Sequence, residues 1–121
     1  MNSSAKKLLY DVRESARSIR RWREGKAFAD YERDRQLRRA VEREFEIIGE
    51  ALNRLSREDA EIAARIQELP RIVGFRNRII HGYDTVDDAV VWGVIETHLP
   101  TLLAEIEALI GNGGDFKDDQ A

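Results

Sequence analysis

Gly74–Tyr83 reads GFRNRIIHGY, and the rest of the 121-residue chain is organised around it. Arg76, Asn77, His81 and Tyr83 fall within eight residues, inside a segment that is otherwise helical and apolar in pattern. Pro70 stands where proline is tolerated, in the first turn of a helix. Gly82 follows His81 directly, as a helix-ending residue does. The pattern therefore predicts a helix over Pro70–His81, with Ile72, Val73, Ile79 and Ile80 turned to a core.

Outward from that helix the chain reads as all-α. Ser3–Arg23 carries Leu8, Val12, Ala16 and Ile19 at steps of three and four, which make one apolar stripe. Ser3 or Ser4 is the expected cap and Gly25 the stop. A long second helix is expected from Phe28 or Asp30 to about Leu55, with Leu37, Val41, Phe45, Ile48, Leu52 and Leu55 on its stripe. A short helix over Asp59–Ile66, capped by Asp59, precedes the central one. Thr85-x-x-Asp88 is a relative of the capping box. It opens a last helix over Val86–Ile110, with Val91, Ile95, Leu99, Leu102, Ile106 and Leu109 inward. Pro100 removes one backbone donor and should kink it. Val90, Trp92 and Val94 lie outside that stripe and need a second cover. A dimer interface or a deeper intrachain core would each supply one. Gly111–Ala121 reads as a flexible tail behind one domain spanning residues 1–110.

Composition narrows the class. No cysteine is present, so no disulfide frame and no thiolate zinc site is expected. No apolar run reaches membrane-spanning length, and the charged N-terminus lacks the apolar core of a signal peptide. A cytoplasmic setting follows as the expectation. Net charge is −3 but unevenly spread: residues 1–43 hold 13 Lys and Arg against 7 Asp and Glu, and residues 44–121 hold 7 against 16. Sixteen of the 20 cations are Arg, whose rigid fork suits phosphate. Two readings of that charge stay open. One is a phosphate-facing surface; the other is solvated helix faces carrying i,i+4 Glu–Arg pairs. Asp84, Asp87 and Asp88 suit a helix N-terminus, and capping explains them without a metal.

The central segment admits two readings: His81 caps the helix and Arg76 pairs with a nearby carboxylate, or the two act together on a phosphodiester. RNA carries its own nucleophile, the 2′-hydroxyl, beside every phosphate. Cleavage then needs proton transfer and charge stabilisation at phosphorus. Histidine suits the first near neutral pH, and such transfer is worth roughly 10²–10⁴-fold. A guanidinium supplies the second. No metal or cofactor is needed. One difficulty arises from helix geometry: five residues turn about 500°, which leaves Arg76 and His81 roughly 140° apart. Either the helix loosens near Gly82, or Arg76 of one chain serves His81 of another across a twofold axis. Glu46 and Glu50, one turn apart on the second helix, either face the motif and hold Arg76 or face water.

Arg76-x-x-x-x-His81-x-Tyr83, with Asn77 after the Arg, resembles the signature of the HepT-like ribonuclease toxins of the HEPN superfamily. The runs EFEIIGEALNRLS (Glu44–Ser56) and DTVDDAVVWGVIETHLPTLL (Asp84–Leu103) resemble the same family. The resemblance implies a HEPN-like antiparallel bundle of four to five helices that works as a homodimer. It implies a metal-independent endoribonuclease acting on transfer or messenger RNA, with Arg76 and His81 as the central pair and Asn77, Glu46 and Glu50 in support. It also implies a partner, a minimal nucleotidyltransferase antitoxin that adds AMP to the tyrosine of the motif, here Tyr83, and that forms a larger hetero-oligomer with the toxin. The alternative is a non-catalytic module that binds a nucleotide or a nucleotidyltransferase, with Arg76 and His81 as phosphate ligands only.

Overall fold

The computed structural model describes residues 1–82 and 86–112. Among them there are seven helices and no strand. Helix α1 is Ser3–Arg23, as its periodicity predicts. Its cap is Asn2, whose Oδ1 accepts the Ala5 N–H at 2.8 Å. Ser3 and Ser4, the expected caps, are instead the first helical residues, and the Ser4 hydroxyl donates to Glu58. Past the helix end Gly25 takes φ +74°, a conformation costly for other residues.

The expected long second helix is two helices. Phe28–Arg33 forms α2 and Arg35–Glu58 forms α3, with a break at Asp34. Asp34 leaves helical geometry and its Oδ1 accepts the Leu37 N–H at 3.0 Å. The side chain thus satisfies a donor that α3 would otherwise strand at its start. Asp30 does the same for α2, accepting the Ala27 N–H at 2.8 Å. That bond, chiefly, holds its carboxyl below the usual carboxylate range, with Arg33 and Lys26 adding to it.

Ala60–Ala63 is α4, capped by Asp59. Leu69–His81 is α5, with Pro70 in its first turn. Asp88–Thr97 is α6, and Leu99–Asn112 is α7. Asp87 caps α6 by accepting the Ala89 N–H at 2.8 Å; Thr85, half of the expected box, lies outside the described residues. The kink expected at Pro100 is a break at His98 that bends α6 against α7 by 42°. No single described helix is long and apolar enough to cross a membrane.

Helix α3 lies between α1 and α5, and α7 packs on α1. Leu8, Val12, Ala16 and Ile19 of α1 and Val41, Phe45, Ile48, Leu52 and Leu55 of α3 are all buried. So are Leu102 and Ile106 of α7. Short α2 closes the bundle against α3 and α6. Its Phe28 and buried Tyr31 lie against Trp92, with ring centroids 6.4 and 5.5 Å apart. Trp92 is therefore partly buried within the chain, and Val94 is buried. Of the three residues off the last stripe, Val90 alone stays exposed.

Part of the basic charge of the first third is paired across helices and part within them. Arg17 meets Glu107 and Arg23 meets Glu96, each at 2.5 Å, tying α1 to α7 and α6. Other arginines pair within a helix, as Arg39 does with Glu42 and Arg54 with Glu58. Exposed pairs of this kind contribute roughly 0.2–1 kcal/mol each. They account for much of the charge without a ligand.

Candidate active site

The site is carried by α5, and the start of that helix is held by tertiary contacts. At its start no side chain of α5 or its immediate neighbours caps the free N–H groups. Glu105 of α7 reaches over instead. Its two oxygens accept the Gln67 and Glu68 N–H groups at 2.8 and 3.2 Å. Glu68 in turn holds His98 Nδ1 at 3.0 Å and lies 3.5 Å from Arg71 Nε. His98, to which the sequence assigns no role, thus pins the α6–α7 break to the start of α5. Midway, Phe75 meets Phe45 of α3 edge to face, with centroids 5.1 Å apart and planes at 85°. Such pairs add about 0.5–1.5 kcal/mol beyond the area they bury. Ile72 and Ile79 are buried beside it. Ile80, expected in the core, is 39% exposed. The inward stripe runs through Ile72, Phe75 and Ile79 at steps of three and four, which leaves no room for position 80.

One turn beyond Phe45, α3 carries Gly49, and α5 crosses there with almost no gap. A Cβ on Gly49 would stand 2.3 Å from Arg76 Cβ, 2.5 Å from its Cγ and 3.1 Å from its Cδ. The aliphatic stem of Arg76 therefore lies directly on the α3 backbone. Its Nε is buried without a hydrogen-bond partner. Its Nη1 donates to Asn77 Oδ1 at 3.1 Å. The structure thus brings Arg76 and Asn77 together at the α3 edge of α5. Glu46 pairs with Arg43 at 3.5 Å, and Glu50 is exposed. Among the described residues neither forms an ion pair with Arg76.

His81 is exposed in the last turn. The helix stays wound through it, and the Gly82 N–H closes the turn on the Arg78 carbonyl at 2.9 Å. Among the described residues the helix does not loosen in a way that would let His81 swing toward Arg76. His81 instead borders a cleft of about 290 Å³ with Arg78 and Ile79 of α5, and with Val86, Asp87 and Val90 at the start of α6. Arg76 does not line it. Within one chain the two residues serve different surfaces, as a straight helix requires. Tyr83 lies outside the described residues. Among the described residues no three His, Asp or Glu side chains gather as a metal-binding group.

Sequence reasoning passed over Gly49, Phe75, Glu105 and Arg78. Gly49 did leave a signal, because glycine inside a helix costs about 1 kcal/mol against alanine and calls for a close approach. Glu105 left none, since its partners stand 38 and 37 residues away.

The class of the protein is shown by comparison with known proteins. Residues 12–109 match the model of the ribonuclease HepT-like family, and the chain belongs to that family of RNA endonucleases. A Methanocaldococcus jannaschii protein named "Putative RNase MJ1380" is 30% identical over 84% of this chain and 93% of its own length. A Thermococcus cleftensis protein named "Probable ribonuclease HepT" is 31% identical over 90% of this chain and 98% of its own. One from Caldanaerobacter subterraneus, "Putative RNase TTE0752", is 33% identical over 71% and 76%. No solved structure gives a significant match.

Proposed function

We propose that this protein is a metal-independent endoribonuclease toxin, working as a homodimer in the cytoplasm and silenced by a nucleotidyltransferase antitoxin. The 2′-oxygen of RNA attacks phosphorus, the 5′-oxygen leaves, and the products are a 2′,3′-cyclic phosphate and a 5′-hydroxyl. His81 transfers protons at this step, and Arg76, oriented by Asn77, offsets the charge that builds on the phosphoryl oxygens. The observation that carries the dimer is the separation of Arg76 from His81 on an intact helix. A phosphodiester reaches both when Arg76 comes from one chain and His81 from its twofold mate. Val94 is buried within the chain and Trp92 partly buried, which weakens the need for a second cover there.

AMP addition to Tyr83 would set a bulky anion two residues from His81, where it repels RNA phosphates. The modifying enzyme is the antitoxin, and the RNA is transfer or messenger RNA.

Mixing variants tests the composite site. Arg76→Ala and His81→Ala should each abolish cleavage while the protein stays folded. Co-refolded in equal amounts, half of the dimers pair one of each, and one of their two sites is intact. About a quarter of wild-type activity should return. Failure of the mixture to recover, with mixed dimers demonstrated, would refute the shared site. Wild-type cleavage should survive a chelator and spare DNA.

A further inference from the structure

We propose that Arg78 is a second RNA-contacting cation, holding a phosphate next to the scissile one in the cleft that His81 of the same chain borders. The proposal rests on the ribonuclease reading and extends it to substrate binding. Arg78 and His81 stand three apart on α5, so they are neighbours on one helix face. Both line the same cleft of about 290 Å³. Arg78 is exposed, and among the described residues it makes no ion pair. That sets it apart from Arg71, one of its neighbours on α5, which lies 3.5 Å from the Glu68 carboxylate.

Among the described residues the acidic group lining the cleft is Asp87. Its Oδ1 is engaged at 2.8 Å with the Ala89 N–H, at the N-terminus of α6, where a carboxylate is favoured. It forms no ion pair with Arg78 or His81. Among the described residues no carboxylate claims the Arg78 cation. The rest of the described lining is mainly apolar, with Phe75, Ile79, Val86 and Val90. A cation beside an apolar lining fits single-stranded RNA, which presents phosphates on one side and base faces on the other. Arg76, in contrast, is held against α3 and does not reach this cleft.

Equilibrium binding of a 2′-O-methyl RNA oligonucleotide, which resists cleavage, tests the contact across a salt series. Arg78→Gln should weaken binding roughly tenfold and reduce the salt slope by about one for each Arg78 engaged. Arg78→Lys keeps the charge at the helix end and should restore the slope. Arg57→Gln removes an equally exposed arginine from the far end of α3 and should change neither. In cleavage of ordinary RNA, Arg78→Gln should raise KM and leave kcat within a few-fold of wild type. A slope unchanged by Arg78→Gln, an equal loss in Arg57→Gln, or a fall in kcat at constant KM would each overturn the proposal. A wild type that binds with this Arg78 dependence yet cuts nothing would sink the ribonuclease reading and leave the contact standing. A wild type that cuts RNA with no Arg78 dependence would do the reverse.

Discussion

Gly49→Ala is the sharpest perturbation the structure offers. The new methyl would lie 2.3 Å from Arg76 Cβ, against 3.4–4 Å for ordinary contact. Arg76 Cβ is fixed to the α5 backbone, so no rotamer change relieves the clash. Helix α5 must move away from α3 by about 1 Å. Overpacking of this kind costs roughly 1–3 kcal/mol. The gain in helix propensity returns about 0.8–1.0 kcal/mol, for a net loss of roughly 0–2. Gly93→Ala is the matched control, because a Cβ there meets nothing within 4 Å. It takes the propensity gain with no clash. The two variants should therefore differ by about 1–3 kcal/mol, which for a domain of this size is roughly 4–12 °C in Tm. Activity should fall further than stability. A displacement of 1 Å at a catalytic group can cost on the order of 10²-fold, and Arg76 is the residue displaced. Thermal melts by circular dichroism and RNA cleavage at a temperature where both variants are folded read the two effects. If Gly49→Ala melts with or above Gly93→Ala, the close crossing does not govern this interface. If it melts lower but cleaves as wild type, the crossing does not position Arg76.

Three further outcomes follow from the same contacts. Burial chiefly pushes the Glu42 carboxyl up, against the pull of Arg39, so the fold favours its protonated form. That contribution is full below the unfolded-state pKa and lost as pH rises through the folded one. Glu42→Gln should accordingly be more stable than wild type at pH 7, with the gap closing below about pH 4, as denaturant melts across pH would read. Glu105→Ala removes the acceptor of the two N–H groups just before α5 and should cost about 1–2 kcal/mol, a midpoint shift measurable by urea unfolding. Tyr83→Phe should stay unmodified, by intact mass, after incubation with the cognate nucleotidyltransferase and ATP, and should keep its ribonuclease activity. An adduct on the variant would place the modification elsewhere.

How far the sequence reached depends on what each feature obeys. Helix α1 is bounded by local rules, a periodic stripe and a glycine with positive φ, and its range was legible to the residue. The stripe of α3 was legible too, but its start was not. Leu37 and Val41 continue the period past Asp34, and only the cap geometry there reveals the break. Pro100 announced a bend, and the break falls two residues earlier, at His98, whose ring meets Glu68. In the candidate site, Arg76, Asn77 and His81 were named from their type and spacing together with the resemblance to a known family. Arg78 was not, because a bare arginine looks the same whether or not a carboxylate faces it.

The amino-acid order by itself determined the helical class, the inward stripes of α1, α3 and α7, and the divergence of Arg76 from His81. Periods of three and four and a fixed turn per residue need no partner to be read. Tertiary structure decided that Val94 is buried and Trp92 partly buried within the chain, that Glu105 holds the N–H groups just before a helix some 37 residues distant, and that the Arg76 stem rests on bare backbone at Gly49. Those facts depend on which helix faces which across the bundle, and no spacing along one chain encodes that distance.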